Sequence, residues 1–465
     1  MVLRGLLTSA LAAAVAVSAV GTATAAPTSS PAAGPSCPAL EVFGVQGTGQ
    51  SSPDADPKND TGMLGLLFRP MMAGASGLID RAYVPYEASF GGAVPGGPVP
   101  YEQSVDHAVQ RLDRMVTDMA KRCPSTKFAG VGYSQGAHAM SVWAKKVGAG
   151  QAAIPADRVA GVLLLADPAR PARSGVFPGR PGQRSPEAVP GTSGDEVSTV
   201  SLTDPGLGGS GIAPLADTGA GFGSLSGRVA DICTPGDLAC DAPEHAPVAH
   251  LVANIAGQSQ LDPNDPVAAI STLAQALAMT TFKTAVPVIN DDIQGKSLDE
   301  LSYEPQKTIS QRLAEASDPR GPMPGFSDAL QAFVKVGTIA LNAVKTVAMT
   351  VFTPDTIAQL ATVGLTNPVG AAMILAPKVA QAVVELVPPA AQSRLVGEAF
   401  TALKDNVTDN RDLFNISTLI SYSDTIAKHQ GYATFSSSPT GQSALAVGAR
   451  WFDAAAHDIA ANRGH

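Results

Sequence analysis

Apolar residues along the 465-residue chain fall into two kinds of run. The first half holds short, nearly unbroken apolar stretches: "LEVFGV" (40–45), "KFAGVGY" (127–133), "VAGVLLLADP" (159–168) and "RVADIC" (228–233). Unbroken runs of this length suit strands buried on both faces. "AYVPYE" (82–87) is a further expected strand. Between 102 and 122, Val105, Ala108, Val109, Leu112, Met115, Val116 and Met119 recur at helical spacing and form one apolar face. Strands alternating with helices predict an α/β fold, a mostly parallel sheet covered on both sides. Reactive groups in such sheets gather at the carboxyl ends of the strands.

The second half reads differently. Helical patterns are expected at 266–286, 327–352, 355–363, 369–387 and 391–406, divided by Pro and Gly, and again at 441–461. In 327–352 a narrow, mostly polar stripe (Gln331, Lys335, Thr338, Asn342, Lys345, Met349) leaves a wide aliphatic remainder. That surface needs cover from other helices, the sheet domain, lipid or a partner. Lys335, Lys345, Lys378 and the dividing prolines argue against membrane spans.

Within "FAGVGYSQGAHA", Gly132, Ser134 and Gly136 stand where the strand at 127–133 hands over to a helix. Gly-x-Ser-x-Gly at such a junction is the nucleophile-elbow pattern. Glycines let the chain pass closely, the serine hydroxyl is presented at a helix N-terminus, and the N–H of Gln135 can meet a developing oxyanion. Asp237 follows the strand at 228–233 and can orient a histidine from there.

Composition narrows the choices. At 45% hydrophobic and 15% charged, the chain has ample core and is no disordered tail. A net charge of -9 speaks against nucleic acid as a partner. Residues 1–26 read as a cleaved export signal, with Arg4, an apolar stretch and Ala23-Thr24-Ala25, and 27–36 as a flexible linker. Export permits disulfides among the four cysteines. Cys233 and Cys240 flank the short loop "CTPGDLAC", while Cys37 and Cys123 each adjoin a core element, so these are the expected pairs. The spacings do not suit a zinc cluster, and no metal or organic cofactor is implied.

"GYSQG", Cys37 and Cys123 bracketing the first elements, and "CTPGDLAC" closing the sheet resemble the cutinase family of secreted serine esterases with the α/β-hydrolase fold. The resemblance covers residues 37 to 245 and the last forty or so. It implies Ser134 as nucleophile, Asp237 as triad acid, and an oxyanion hole from the N–H of Gln135 and the hydroxyl of Thr48 in "VQGTGQ". Actinobacterial relatives usually carry arginine where this chain has Gln46.

Of the seven histidines, two are candidates for the base. His250 lies ten residues after Cys240, a spacing like that of compact family members. His429 begins His429-Gln430-Gly431-Tyr432, which resembles the family's H-x-x-Y on a short loop before the final helix. His429 is therefore the expected base and His250 the alternative. The chain then divides into a hydrolase part at 37–253, a helical insertion or lid at 254–425, and the returning hydrolase part at 426–465. Expected substrates are lipid-like carboxylic esters, since the insertion is aliphatic, with contact to a lipid interface through that region. Envelope esters such as mycolyl glycolipids follow from the resemblance alone. The alternatives are a non-catalytic exported envelope- or lipid-binding protein on the same scaffold and an acyltransferase with a sugar acceptor.

Overall fold

The structure, a computed structural model, describes residues 37–351, 353–363, 377–378, 381, 388–415, 418 and 422–463. The expected signal and linker, and most of the expected helix at 369–387, lie outside the described residues.

Strands β1 (Leu40–Val45), β2 (Ile79–Tyr83), β3 (Lys127–Tyr133), β4 (Val159–Leu165) and β5 (Val229–Ile232) form one sheet in the order β2-β1-β3-β4-β5. All four pairings are parallel. Alternation along each strand feeds two cores. Leu40 and Val42 of β1 enter one, Phe43 and Val45 the other. The first core is closed by helix α1 (Gly62–Gly74) and the C-terminal helix, through Leu64, Phe68, Trp451 and Phe452. The second is closed by α2 (Tyr101–Arg122) and α3 (Gln135–Gly148), through Val105, Leu112, Met140 and Trp143. The result is a three-layer α/β sandwich. Each large side chain fully buried here contributes roughly 1.5–3 kcal/mol.

Three expected strand bounds shift. The edge strand β2 lies at Ile79–Tyr83 rather than 82–87, because Pro85 cannot donate to a ladder and the edge tolerates Asp80 and Arg81. Strand β4 stops at Leu165, where Ala166 turns out of the sheet with φ 56°, and β5 stops at Ile232.

The helices beyond the sheet are α4 (Pro247–Gly257), α5 (Pro266–Pro287), α6 (Ile309–Ser317), α7 (Phe326–Val351), α8 (Pro354–Val363), α9 (Pro389–Asp409), α10 (Thr425–Gln430) and α11 (Ala444–Arg463). A small antiparallel hairpin, Ile293–Gln294 with Ser302–Tyr303, was not expected; two-residue strands leave no periodic signal. Helix α4 runs through the expected 253/254 boundary and joins the helical region, its Asn254 Nδ2 donating to Ser317 Oγ at 3.0 Å and the Nε2 of Gln258, just past its end, to the Ser317 carbonyl at 2.7 Å.

Helix α7 is oriented against its amphipathicity. Lys335 Nζ donates to the carbonyls of Asn290 and Ile293, and Asn342 Nδ2 to that of Lys296 at 2.7 Å, so the polar stripe faces protein backbone. Phe326, Phe333, Leu341 and Val344 are exposed by 64% to 85%. Val267 and Ile270 of α5 and Phe400 of α9 are likewise exposed.

Candidate active site

Ser134 sits between the last residue of β3 and the first of α3 with φ 56° and ψ -124°, a conformation costly for a residue with a Cβ. Its N–H donates to the Leu165 carbonyl at 2.9 Å, anchoring the turn to β4. Both flanking glycines are required by close approach. A Cβ on Gly132 would lie 2.5 Å from the Gly136 carbonyl, and one on Gly136 only 2.0 Å from that of Val45. The N–H of Gln135 opens α3, where backbone donors have no partner within the helix.

Asp237 lies in the loop after β5, closed by the Cys233–Cys240 disulfide; the other pair is Cys37–Cys123, as expected. Its carboxylate is 1% exposed, and Oδ1 accepts the Ala239 N–H at 3.0 Å. His429 stands in the last turn of α10 rather than on a loop. A short helix packed on the disulfide loop does the same work, with the Leu238 N–H donating to Thr425 Oγ1 at 2.9 Å.

These three side chains meet. His429 Nε2 is 2.8 Å from Ser134 Oγ, and Nδ1 lies 2.9 Å and 3.0 Å from the two oxygens of Asp237. The imidazole is held from below by Tyr133, whose ring centroid is 5.4 Å away and whose hydroxyl donates to the His429 carbonyl at 2.9 Å. The side chain of His429 is 26% exposed, open to an incoming molecule. Such a relay can take a proton from the serine hydroxyl and return it to a leaving group.

Thr48 and Gln135 are neighbours. Thr48 Oγ1 donates to Gln135 Oε1 at 3.3 Å, and the buried amide of Gln135 donates to the Ser89 carbonyl at 2.9 Å. Gln46 points to α1 instead, where its Oε1 accepts the Leu64 N–H at 3.3 Å. His250 is on α4; burial lowers its pKa, and among the described residues no hydrogen bond joins it to Ser134 or Asp237.

One cluster escaped the sequence reading. His138, on α3 one turn beyond Ser134, is fully buried; its Nε2 lies 2.7 Å from Asp217 Oδ2 and its Nδ1 3.1 Å from the Tyr101 hydroxyl. Arg320, between α6 and α7, pairs with that same Asp217 and with Glu102 and Asp106, both at 2.9 Å. Burial works to raise Asp217, but the bond from His138 and the charges of His138, Arg320 and Lys145 together hold it below its ordinary value. A histidine four residues after the elbow serine was the only sequence signal.

Residues 36–260 match the cutinase family model. Over that segment the chain is similar to the cutinase family. Over 216 residues it is 33% identical to a carboxylesterase Culp6 homolog of Corynebacterium glutamicum, an alignment covering 44% of this chain and 66% of that relative, just under two thirds of its length. Among solved structures it is similar to the catalytic core domain of acetyl xylan esterase from Trichoderma reesei (17% identity, 52% of this chain and 99% of that one, TM-score 0.31). It is also similar to a cutinase-like protein from Cryptococcus sp. (18% identity, 52% and 95%, TM-score 0.29). The cutinase-family segment contains Ser134 and Asp237 and ends well before His429.

Proposed function

We propose that the protein is an exported serine carboxylic-ester hydrolase in which Ser134 is the nucleophile, His429 the general base and Asp237 its orienting acid. One observation carries this: the unbroken hydrogen-bond relay from Ser134 Oγ through His429 to Asp237, at distances of 2.8 to 3.0 Å. The match of residues 36–260 to the cutinase family model and the carboxylesterase relative support the reaction class.

Nε2 of His429 takes the hydroxyl proton as Ser134 Oγ bonds to the ester carbonyl carbon. The oxyanion is held by the Gln135 N–H and by the Thr48 hydroxyl, which turns away from Gln135 Oε1 to reach it. The imidazolium returns its proton to the departing alcohol, leaving an acyl-serine, and water activated by the same imidazole releases the acid. The helical residues between Asp237 and His429 act as an insertion that offers apolar surface to lipid-like esters and to a lipid interface. Exposed Phe326, Phe333, Leu341 and Val344 on α7 support that part. The N-terminal export pattern and the two disulfides support an extracytoplasmic site of action.

A fluorophosphonate probe tests the proposal: it should label the wild-type protein on the peptide carrying Ser134 and leave Ser134→Ala unlabelled and inactive. Labelling that persists in Ser134→Ala moves the nucleophile elsewhere.

A further inference from the structure

Asp237 is gripped by a second side chain from the segment that carries His429. The Tyr432 hydroxyl donates to Asp237 Oδ2 at 2.9 Å and accepts the Thr234 N–H at 3.1 Å. A phenol has a single proton, and with an N–H already directed at its oxygen that proton goes to the carboxylate. The other near polar atom, Cys240 Sγ at 3.4 Å, belongs to a disulfide and has no proton to give. The Tyr432 ring is fully buried, with the Tyr133 ring set edgewise 6.1 Å away, so the hydroxyl has little freedom to turn. Burial, then the Asp237 charge, push the phenol well above its ordinary range, which keeps its proton in place.

We infer that Tyr432 is a positioning residue for the acid of this triad: its hydroxyl holds one oxygen of Asp237 and sets how strongly that carboxylate stabilises the His429 imidazolium. The inference rests on the roles proposed above for Ser134, His429 and Asp237. His429 and Tyr432 stand three residues apart on one segment and both bind the same carboxylate, so the disulfide loop and the base segment are joined at two points. Each donor on Asp237 spreads its charge and lowers its basicity. Removing one makes the carboxylate more basic and the imidazolium beside it harder to deprotonate.

The other titratable groups nearby are already engaged. Asp241, in the same loop, accepts the Gly236 N–H at 2.9 Å and the Gly209 N–H at 3.2 Å. Lys428 pairs with Asp424 at 2.8 Å, and Tyr133 donates to the His429 carbonyl.

The test is kcat/KM against pH for p-nitrophenyl butyrate. In Tyr432→Phe the acid limb should move up by roughly 0.5 to 1 pH unit and kcat fall on the order of tenfold. Site-specific 3-fluorotyrosine at 432, a more acidic phenol and stronger donor, should move the limb down. Tyr133→Phe, which loses a bond to the His429 backbone and none to Asp237, should leave the limb in place. An unmoved limb in both Tyr432 variants overturns the inference, even if kcat falls, because packing alone would then explain the loss. Should Tyr432→Phe fail to fold by circular dichroism, the fluorotyrosine variant decides by itself. Activity surviving in Ser134→Ala would instead sink the triad, a separate failure.

Discussion

Arg320 is expected to hold the helical region onto the hydrolase unit, and Arg320→Ala measures how strongly. The guanidinium pairs with Glu102 and Asp106 of α2 at 2.9 Å each and with Asp217, which in turn takes the bond from buried His138. Truncation leaves three carboxylates facing one another without their shared cation. Breaking a fully buried pair costs about 3–5 kcal/mol, and an exposed pair about 0–1 kcal/mol. With its side chain 23% exposed, Arg320 is partly screened. A loss of about 2–3 kcal/mol at pH 7 follows from that intermediate position. Urea unfolding followed by circular dichroism reads it. Asp217 lies below its ordinary value of 3.8, so its contribution is present above that pH and is lost as pH falls through the folded value. The deficit of Arg320→Ala should accordingly fade in acid. Combined with Asp217→Asn, the variant should lose less than the two single losses together. A loss below about 0.5 kcal/mol at pH 7, or strict additivity with Asp217→Asn, would refute the reasoning.

Glu41 on β1 has its carboxyl pushed up to about 7, chiefly by burial, with Lys58 at 3.6 Å opposing. The folded protein therefore keeps a proton that the unfolded chain releases, and stability declines as pH rises from 4.5 through about 7. Glu41→Gln should remove that decline and be more stable at pH 8 by about 2–3 kcal/mol, read from thermal melts at pH 5 and pH 8. Replacing Cys233 and Cys240 by Ser opens a loop with a sequence separation of 7. Stability should fall by about 2–3 kcal/mol, and kcat should fall with it because Asp237 lies within the loop, checked by melts and initial rates.

The central strands were legible because β1 and β3 are buried on both faces and so appear as unbroken apolar runs. The edge strand is less legible because Asp80 and Arg81 interrupt that pattern where solvent permits them. Ser134 and Asp237 could be singled out locally, one from its glycines and the other from its cysteine-bounded loop. His429 could not: it bonds to Asp237 across 192 residues, and only the resemblance favoured it over His250. Arg320 reaches Asp106 across 214 residues, a pairing for which local sequence carries no sign. Helix α7 misleads in the opposite way, since its polar stripe faces backbone carbonyls of the hairpin region while its apolar side stays exposed.

Catalysis as proposed requires the chain to return at His429 and complete a site begun at Ser134. Fluorophosphonate labelling rates of wild type, His429→Ala and His250→Ala, each shown folded by circular dichroism, test it directly. His429→Ala should label, and hydrolyse p-nitrophenyl butyrate, at least about a thousandfold more slowly, while His250→Ala stays within about threefold of wild type. Wild-type labelling by His429→Ala, or its loss in His250→Ala alone, would contradict the account.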